Sequence, residues 1–199
     1  WLETYDDLDA SPPATAELVK LVTEDVDNYE FLNWRKNVCS TSDGQTHASH
    51  NAYIGKRAVI EAGSYIENSF VLGKSHIGAG SVISGMYLRD EEIPKDIVLH
   101  GLELKNDRYV VRIYGVYDNP KDTFCAGNQY IGHDMQVLCA HLTDELREGT
   151  TLWDAPLYPV CDSLKDALNM ALLLYRIAGG QASREEIDRW KACERLSLN

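Results

Sequence analysis

A branched aliphatic residue recurs every six residues through the middle of this chain. It opens successive units at Ile54, Ile60, Ile66, Val71, Ile77 and Ile83, and only the step from Ile66 to Val71 is five. An amphipathic helix would place apolar residues three or four apart, and a half-buried strand would alternate in twos. A period of six is instead typical of a β-solenoid, in which each leading side chain points into a narrow core and neighbouring units bury one another.

Small residues strengthen this interpretation, because they stand four places after most of the leading aliphatics. They are Ala58, Ser64, Ser75 and Ser81, and we expect them where the backbone of one coil comes closest to the next. The glycines at 78 and 80 are then solenoid corners, since their spacing fits neither a dinucleotide fingerprint nor a phosphate loop. The pattern from Ile54 to Gly85 predicts about two coils. It is expected to end there, because Tyr87 takes the place of a small residue and residues 89–92 form a polar turn.

The pattern after the solenoid predicts a hairpin and then helices. Residues 97–104 and 108–116 alternate as strands do, and residues 105–107 form a turn between them. A helix is predicted near residues 134–146. Two more are predicted after Ser163, with Gly179 just past the end of the first, and after Ser183 with its capping-box partner Glu186. The second of these is expected to continue to Leu196.

The fold class predicted from these patterns is mainly β. It is a short left-handed hexapeptide-repeat β-helix, followed by a β-hairpin and C-terminal α-helices. We expect a partly helical lead-in segment over residues 1–46, with a helix at 14–22 after Pro12-Pro13. The β-helix is assigned to residues 47–88, and the hairpin with a helical cap or connector to residues 89–199.

Charge and cysteine content exclude some functions. The formal net charge of −12 disfavours a general nucleic-acid binder and attraction to anionic membranes. The longest apolar run is far below the roughly 20 residues of a transmembrane helix. The cysteines are odd in number, widely spaced and free of any CxxC pair: Cys39, Cys125, Cys139, Cys161 and Cys193. We expect them to be reduced, as in a cytoplasmic protein.

The candidate catalytic and metal-binding residues do not form specific sequence motifs. His47 and His50 are too few for a metal site without a third ligand, and His76 lies at the end of a coil. A hexapeptide acyltransferase using His76 or His50 as general base is therefore one alternative function. The acidic runs 6–7, 24–25 and 90–92 are interpreted as solvated faces. The aromatic residues Tyr109, Tyr114, Trp153 and Tyr158 fit a core better than a ligand site.

Four segments after the solenoid carry a resemblance to a known family. They are VLHGL at 98–102, RIYGV at 112–116, DNPKDT at 118–123 and LWDAPLYPVC at 152–161. With the hexapeptide coils before them, they resemble the bifunctional fucokinase / L-fucose-1-phosphate guanylyltransferase family over roughly residues 53–178. The resemblance implies a cytoplasmic salvage enzyme that makes fucose 1-phosphate with ATP and joins it to GTP, giving GDP-fucose.

The same resemblance implies that the catalytic machinery lies elsewhere in the parent protein. The family's Gly-rich nucleotidyltransferase loop and its kinase phosphate loop have no counterpart among these 199 residues. No catalytic, cofactor-binding or metal residue is therefore assigned to this chain, and Mg²⁺, GTP and ATP are expected for the parent alone. The implied partners are the nucleotidyltransferase and kinase domains of the same polypeptide, with a homo-oligomer possible.

The chain begins at Trp1, which favours a piece of a longer protein. The expected role is structural and oligomerising, without catalysis by this piece alone. A pure protein-interaction module is the third alternative beside the fucose-salvage enzyme and the acyltransferase. A trimer that binds acyl-CoA would favour the acyltransferase, and tight binding to an unrelated protein would favour the interaction module.

Overall fold

The computed structural model describes residues 47–142 and 146–199, so the predicted lead-in segment and its helix at 14–22 lie outside the described residues. The elements, in chain order, are β1 (Ala48–His50), β2 (Tyr53–Ile54), β3 (Val59–Ile60), β4 (Tyr65–Glu67), β5 (Phe70–Leu72), β6 (His76–Ile77), β7 (Val82–Ser84), β8 (Tyr87–Arg89), β9 (Glu92–Ile93), β10 (Ile97–Leu104), β11 (Arg108–Gly115), β12 (Gln129–Tyr130), β13 (His133–Asp134), α1 (Met135–Leu142), β14 (Tyr158–Cys161), α2 (Leu164–Ala178), α3 (Arg184–Lys191) and β15 (Arg195–Leu196).

The period-six segment folds as stacked coils, which confirms the predicted β-helix. Every third strand pairs in parallel with its equivalent in the next coil, giving the series β1-β4-β7, β2-β5-β8 and β3-β6-β9. Tyr53 pairs with Phe70 and Phe70 with Tyr87, a spacing of 17 residues per coil. Three units of six would give a longer coil, so the step of five from Ile66 to Val71 makes one side of this coil one residue shorter than the others. The last coil is shorter again, because Ile77 pairs with Ile93 and Val82 pairs with Val98, 16 residues on.

The solenoid has three coils, so the expectation that the pattern ends at Gly85 is wrong. Leu88 and Ile93 are fully buried and stack on Val71 and Ile77 of the coil before. Both residues come after steps of five, which hides them from a search for period six. Residues 90–91 form a corner of this third coil between β8 and β9, and the coil strands extend to Ile93, beyond residue 88.

Buried serines connect each coil to the next, which explains the small residues of the repeat. Ser69, Ser75 and Ser81 are almost fully buried. Each hydroxyl accepts a hydrogen bond from a backbone N–H of the following coil, at 2.9 Å from Met86, 3.2 Å from Glu91 and 3.2 Å from Ile97. Each also donates to a backbone carbonyl, so no buried polar atom of these serines is left without a partner.

The last coil is continued by the hairpin, as predicted. β10 pairs in parallel with β7 and antiparallel with β11, so the first side of the solenoid becomes a seven-stranded sheet ordered β1-β4-β7-β10-β11-β14-β15. Gly101 lies on β10, where the parallel solenoid meets the antiparallel hairpin. A Cβ at this position would overlap the carbonyl oxygen of Gly85. Only glycine allows this approach of two backbones.

The helices confirm their predicted start signals. The Ser163 hydroxyl accepts a hydrogen bond from the Asp166 N–H at 3.1 Å, and Ser183 with Glu186 forms a complete capping box. Helix α1 occupies residues 135–142 of the predicted 134–146. Helix α3 ends at Lys191, and residues 195–196 form β15 against β14. The predicted continuation of this helix to Leu196 is therefore wrong.

Helix α2 covers one face of the sheet formed by β10, β11 and β14, with contacts to all three strands. Its buried face includes Leu168, Leu174 and Ile177, which belong to the same hydrophobic core as Val111 and Ile113 of β11. Helix α2 and the solenoid thus bury the two ends of one continuous hydrophobic core.

No helix within the described residues has the length and apolar character needed to cross a membrane.

Substitution of Leu88 tests the third coil. Leu88→Ala should lower the free energy of unfolding by about 2–5 kcal/mol, because it leaves a cavity in a fully packed stack. Val59→Ala removes a side chain that is 56% exposed on an outer face and should cost under about 1 kcal/mol. Urea denaturation of both variants gives the comparison. Equal small losses would contradict a third coil in the core.

Candidate functional site

The four segments that carry the family resemblance meet around one cavity of about 290 Å³, which we call the motif cavity. Its lining comprises His100, Arg112, Tyr114, Gly115, Val116, Asp118, Pro120, Leu152, Trp153 and Leu198. Every one of the four segments contributes at least one lining residue, although they are spread over residues 98–161. No sequence pattern predicted that these segments meet, so the cavity is the main feature that sequence reasoning missed.

The floor of the motif cavity is one face of the hairpin. His100 is paired with Arg112 across β10 and β11, and Tyr114 lies two residues further on. Side chains alternate between the faces of a strand, so Leu99 and Ile113 point to the opposite side, into the core. The polar face of the hairpin is therefore left for the cavity, while the apolar face holds the fold together.

The wall of the motif cavity is formed by two segments that bond to each other. Thr123 and Thr151 form a β-bridge, and the Trp153 N–H donates to the Pro120 carbonyl at 2.9 Å. The C-terminal residues close one side, because the Asn199 N–H donates to the Trp153 carbonyl at 3.0 Å. These bonds hold the Trp153 side chain at the cavity while leaving 46% of the residue exposed.

Arg112 gives the cavity its positive charge. Its Nη2 donates to the Ser197 carbonyl at 3.3 Å, and its Nε is buried without a hydrogen-bond partner among the described residues. Burial lowers the pKa of His100, and the neighbouring Arg112 charge lowers it further, against a smaller opposing effect of Glu67. The lowered pKa of His100 favours the neutral imidazole, which has one donor and one acceptor nitrogen.

Asp118 supports the cavity rather than offering a free carboxylate. Its Oδ2 accepts from the Gly115 N–H at 2.6 Å, and both of its oxygens accept from the Ile131 N–H at 3.0 and 3.1 Å. Ile131 has a φ of +54°, a conformation that is rare for a β-branched residue. The carboxylate therefore fixes a strained turn against the end of the hairpin.

A second cavity of about 310 Å³ shares Gly115 and Asp118 with the first. It is lined by Lys95, Asp96, Ile97, Gly115, Tyr117, Asp118, Gln129, Ile131, Gly132, His133 and Tyr175. The rings of His133 and Tyr175 meet edge to face, with centroids 5.6 Å apart. Of the two cavities, only the motif cavity contains residues from all four resemblance segments.

His76 lies on the outer face of the solenoid between two carboxylates. Its Nδ1 is 2.6 Å from Glu92 Oε1 and its Nε2 is 2.9 Å from Glu61 Oε1. The pKa of His76 is raised by the hydrogen bond to Glu92 and then by that to Glu61. A general base needs an unprotonated nitrogen facing the substrate, and here both nitrogens face carboxylates. This geometry favours a structural ion-pair ladder between coils.

The other predicted candidates are placed as follows. His50 is exposed on β1, and His47 is partly exposed just before that strand. No group of three or more possible metal ligands occurs among the described residues. Tyr109 and Tyr158 are core residues, as expected, whereas Tyr114 and Trp153 line the motif cavity. Cys125, Cys139, Cys161 and Cys193 are unpaired. The acidic runs at 6–7 and 24–25, and Cys39, lie outside the described residues.

The ladder predicts a specific pH dependence of stability. A raised pKa means that the contribution of His76 is fully present below its ordinary pKa of 6.5 and is lost as the pH rises through the folded-state value. The pKa of Glu61 is lowered, first by a hydrogen bond from the Ala79 N–H and then by His76, so its contribution is lost as the pH falls. His76→Gln should therefore destabilise most in mildly acidic solution and least above neutral pH.

Urea denaturation across this pH range, with Glu61→Gln and the double variant, completes the test. If His76 and Glu61 form a pair, their effects at mildly acidic pH should not be additive. Additive effects, or a loss that is the same at every pH, would contradict the ladder.

Comparison with known proteins identifies the family. A family model described as the fucose pyrophosphorylase domain matches residues 13–163. The human fucose-1-phosphate guanylyltransferase is 28% identical over 146 residues, covering 65% of this chain and 24% of that protein. The chain thus spans about a quarter of the length of this relative. No solved structure matches the chain significantly.

The matched range contains the three solenoid coils, the hairpin and the two segments of the cavity wall. It includes His100, Arg112 and Trp153, which belong to segments that first suggested the family. The resemblance seen in the sequence is thereby confirmed at the level of the family. The chain belongs to the fucose pyrophosphorylase domain family.

Proposed function

We propose that this chain is the β-solenoid and connector portion of an enzyme that makes GDP-L-fucose from L-fucose 1-phosphate and GTP. The family membership supports the sugar and the reaction class. The single observation that supports a functional role for this part of the molecule is that all four segments resembling the family line the motif cavity. A plain spacer would need the coils but not this convergence.

The proposed reaction needs a nucleotide and cations, which the rest of the parent protein must bind. A phosphate oxygen of fucose 1-phosphate attacks the α-phosphorus of GTP, the bond to the β-phosphate breaks, and pyrophosphate leaves. Such transfers depend on cations held against the phosphates. Because no group of three metal-ligating side chains occurs among the described residues, no magnesium site is assigned here. Mg²⁺ and GTP belong to the nucleotidyltransferase domain of the parent polypeptide.

The role proposed for this portion is to position the catalytic domains and to offer a surface for homo-oligomerisation. Its stacked coils suit this role, since each coil is bonded to the next through both backbone and serine side chains. The name of the human relative refers to the guanylyltransferase activity alone. A kinase domain that uses ATP is therefore proposed only for a bifunctional parent. We place the parent in the cytoplasm.

The alternatives differ in how well the structure supports them. An acyltransferase would need His76 or His50 as base, and His76 is already held by Glu61 and Glu92. A pure interaction module needs no sugar-phosphate chemistry at all. The motif cavity, which is lined by Arg112, His100 and Trp153, favours the sugar-nucleotide hypothesis over both.

Pyrophosphate release from GTP and fucose 1-phosphate tests the proposal. The full-length native gene product that contains this chain should catalyse the reaction. The isolated 199-residue chain should not, because Mg²⁺ and GTP are proposed to bind the nucleotidyltransferase domain of the parent. Acyl-CoA with a sugar or amine acceptor is the matched control substrate. An inactive full-length product would overturn the proposed reaction, and turnover by the isolated chain would overturn the supporting role.

A further inference from the structure

We infer that the motif cavity is a binding site for a sugar 1-phosphate, with the phosphate on Arg112 and the sugar ring against Trp153. This inference rests on the proposed function for the identity of the sugar.

The first argument is the unbalanced charge of Arg112. The protein carries a net charge of −12, yet within the described residues no carboxylate forms an ion pair with this guanidinium. The one acidic residue lining the cavity, Asp118, is occupied by the Gly115 and Ile131 amides. An anion in the cavity would balance the guanidinium charge of Arg112, which lines it, and a phosphate fits the planar fork of arginine.

The second argument is the apolar part of the cavity lining. Trp153 presents an exposed indole, flanked by Leu152, Pro120 and Leu198. Small-molecule sites typically combine such apolar lining with a few placed polar groups. A 6-deoxyhexose has one apolar ring face and a methyl group that suit this wall. Its hydroxyls would find the neutral imidazole of His100, which can both donate and accept.

The third argument is size. The cavity volume of about 290 Å³ is at the lower end of the roughly 300–1,000 Å³ of small-molecule sites. This favours a monosaccharide phosphate over a nucleotide sugar. The Asp118 carboxylate and the bridge between Thr123 and Thr151 hold the site in place before any ligand arrives.

Binding to the 199-residue chain tests the site directly. L-fucose 1-phosphate, L-fucose and inorganic phosphate are titrated separately by calorimetry, with the Trp153 indole N–H followed by NMR. We expect saturable binding of fucose 1-phosphate, weaker binding of either half, and a shift of the indole resonance. Arg112→Gln should weaken binding of fucose 1-phosphate by about tenfold to a hundredfold, as loss of a charge-assisted hydrogen bond does.

The matched control is Arg108→Gln, which removes an arginine on the same strand that pairs with Glu194 at 2.7 Å and does not line the cavity. It should leave the affinity unchanged. Arg112→Lys keeps the charge without the planar fork and should be intermediate. Trp153→Ala should weaken fucose and fucose 1-phosphate but not inorganic phosphate, and it serves as the test if the Arg112 variants do not fold.

The outcomes separate this inference from the proposed function. If no sugar 1-phosphate binds in the millimolar range, or if Arg108→Gln weakens binding as much as Arg112→Gln, the inferred site is wrong. Pyrophosphate release by the full-length protein would still stand. If another hexose 1-phosphate binds and fucose 1-phosphate does not, the site stands and the fucose assignment fails.

Discussion

The pairing of β10 with β7 on one edge and β11 on the other is the interaction on which the rest of the structure depends. On the β7 side it extends the parallel stack of the coils, so that Leu99 lies on Ile83 as Ile83 lies on Ile66. On the β11 side it begins an antiparallel sheet that helix α2 covers. Because one strand belongs to both systems, the solenoid fixes where the hairpin stands.

The same strand explains why a cavity forms at this place. The residues of β10 and β11 that face the core are apolar, and those on the opposite face include His100, Arg112 and Tyr114. Close contact between the backbones at Gly85 and Gly101 keeps the hairpin in register with the last coil. The wall then comes from chain segments bonded to each other across the bridge at Thr123 and Thr151. Asp118 ties this wall region to the end of the hairpin.

Local signals predicted the parts of the fold that depend on local physics. The period of six identified the coils, and the side chains of Ser163 and Ser183 identified two helix starts, because a cap is made by residues three apart. The third coil was missed since its steps of five break the period at Leu88 and Ile93. Strand β15 was missed because the edge of β14, rather than the residues at 195–196, decides its conformation.

The motif cavity could not be predicted from the residues alone. His100 and Arg112 become neighbours only through the register of the hairpin, and Trp153 joins them through a bridge between segments about 30 residues apart in sequence. The available clue was indirect, since the four segments resembled one family without any motif for catalysis. By contrast, the sequence marked His76 as a candidate general base. In the structure both of its ring nitrogens pair with carboxylates, those of Glu61 and Glu92.

Hydrogen exchange at the amides of β10 tests most directly whether the solenoid and the cavity-bearing hairpin form one unit. The account predicts that core amides of β7, β10 and β11 exchange only through global unfolding, with the same free energy of opening. It also predicts that Leu88→Ala, in the solenoid, lowers all of them equally. Exchange of the β10 and β11 amides through a separate, lower-energy opening that Leu88→Ala does not affect would contradict it.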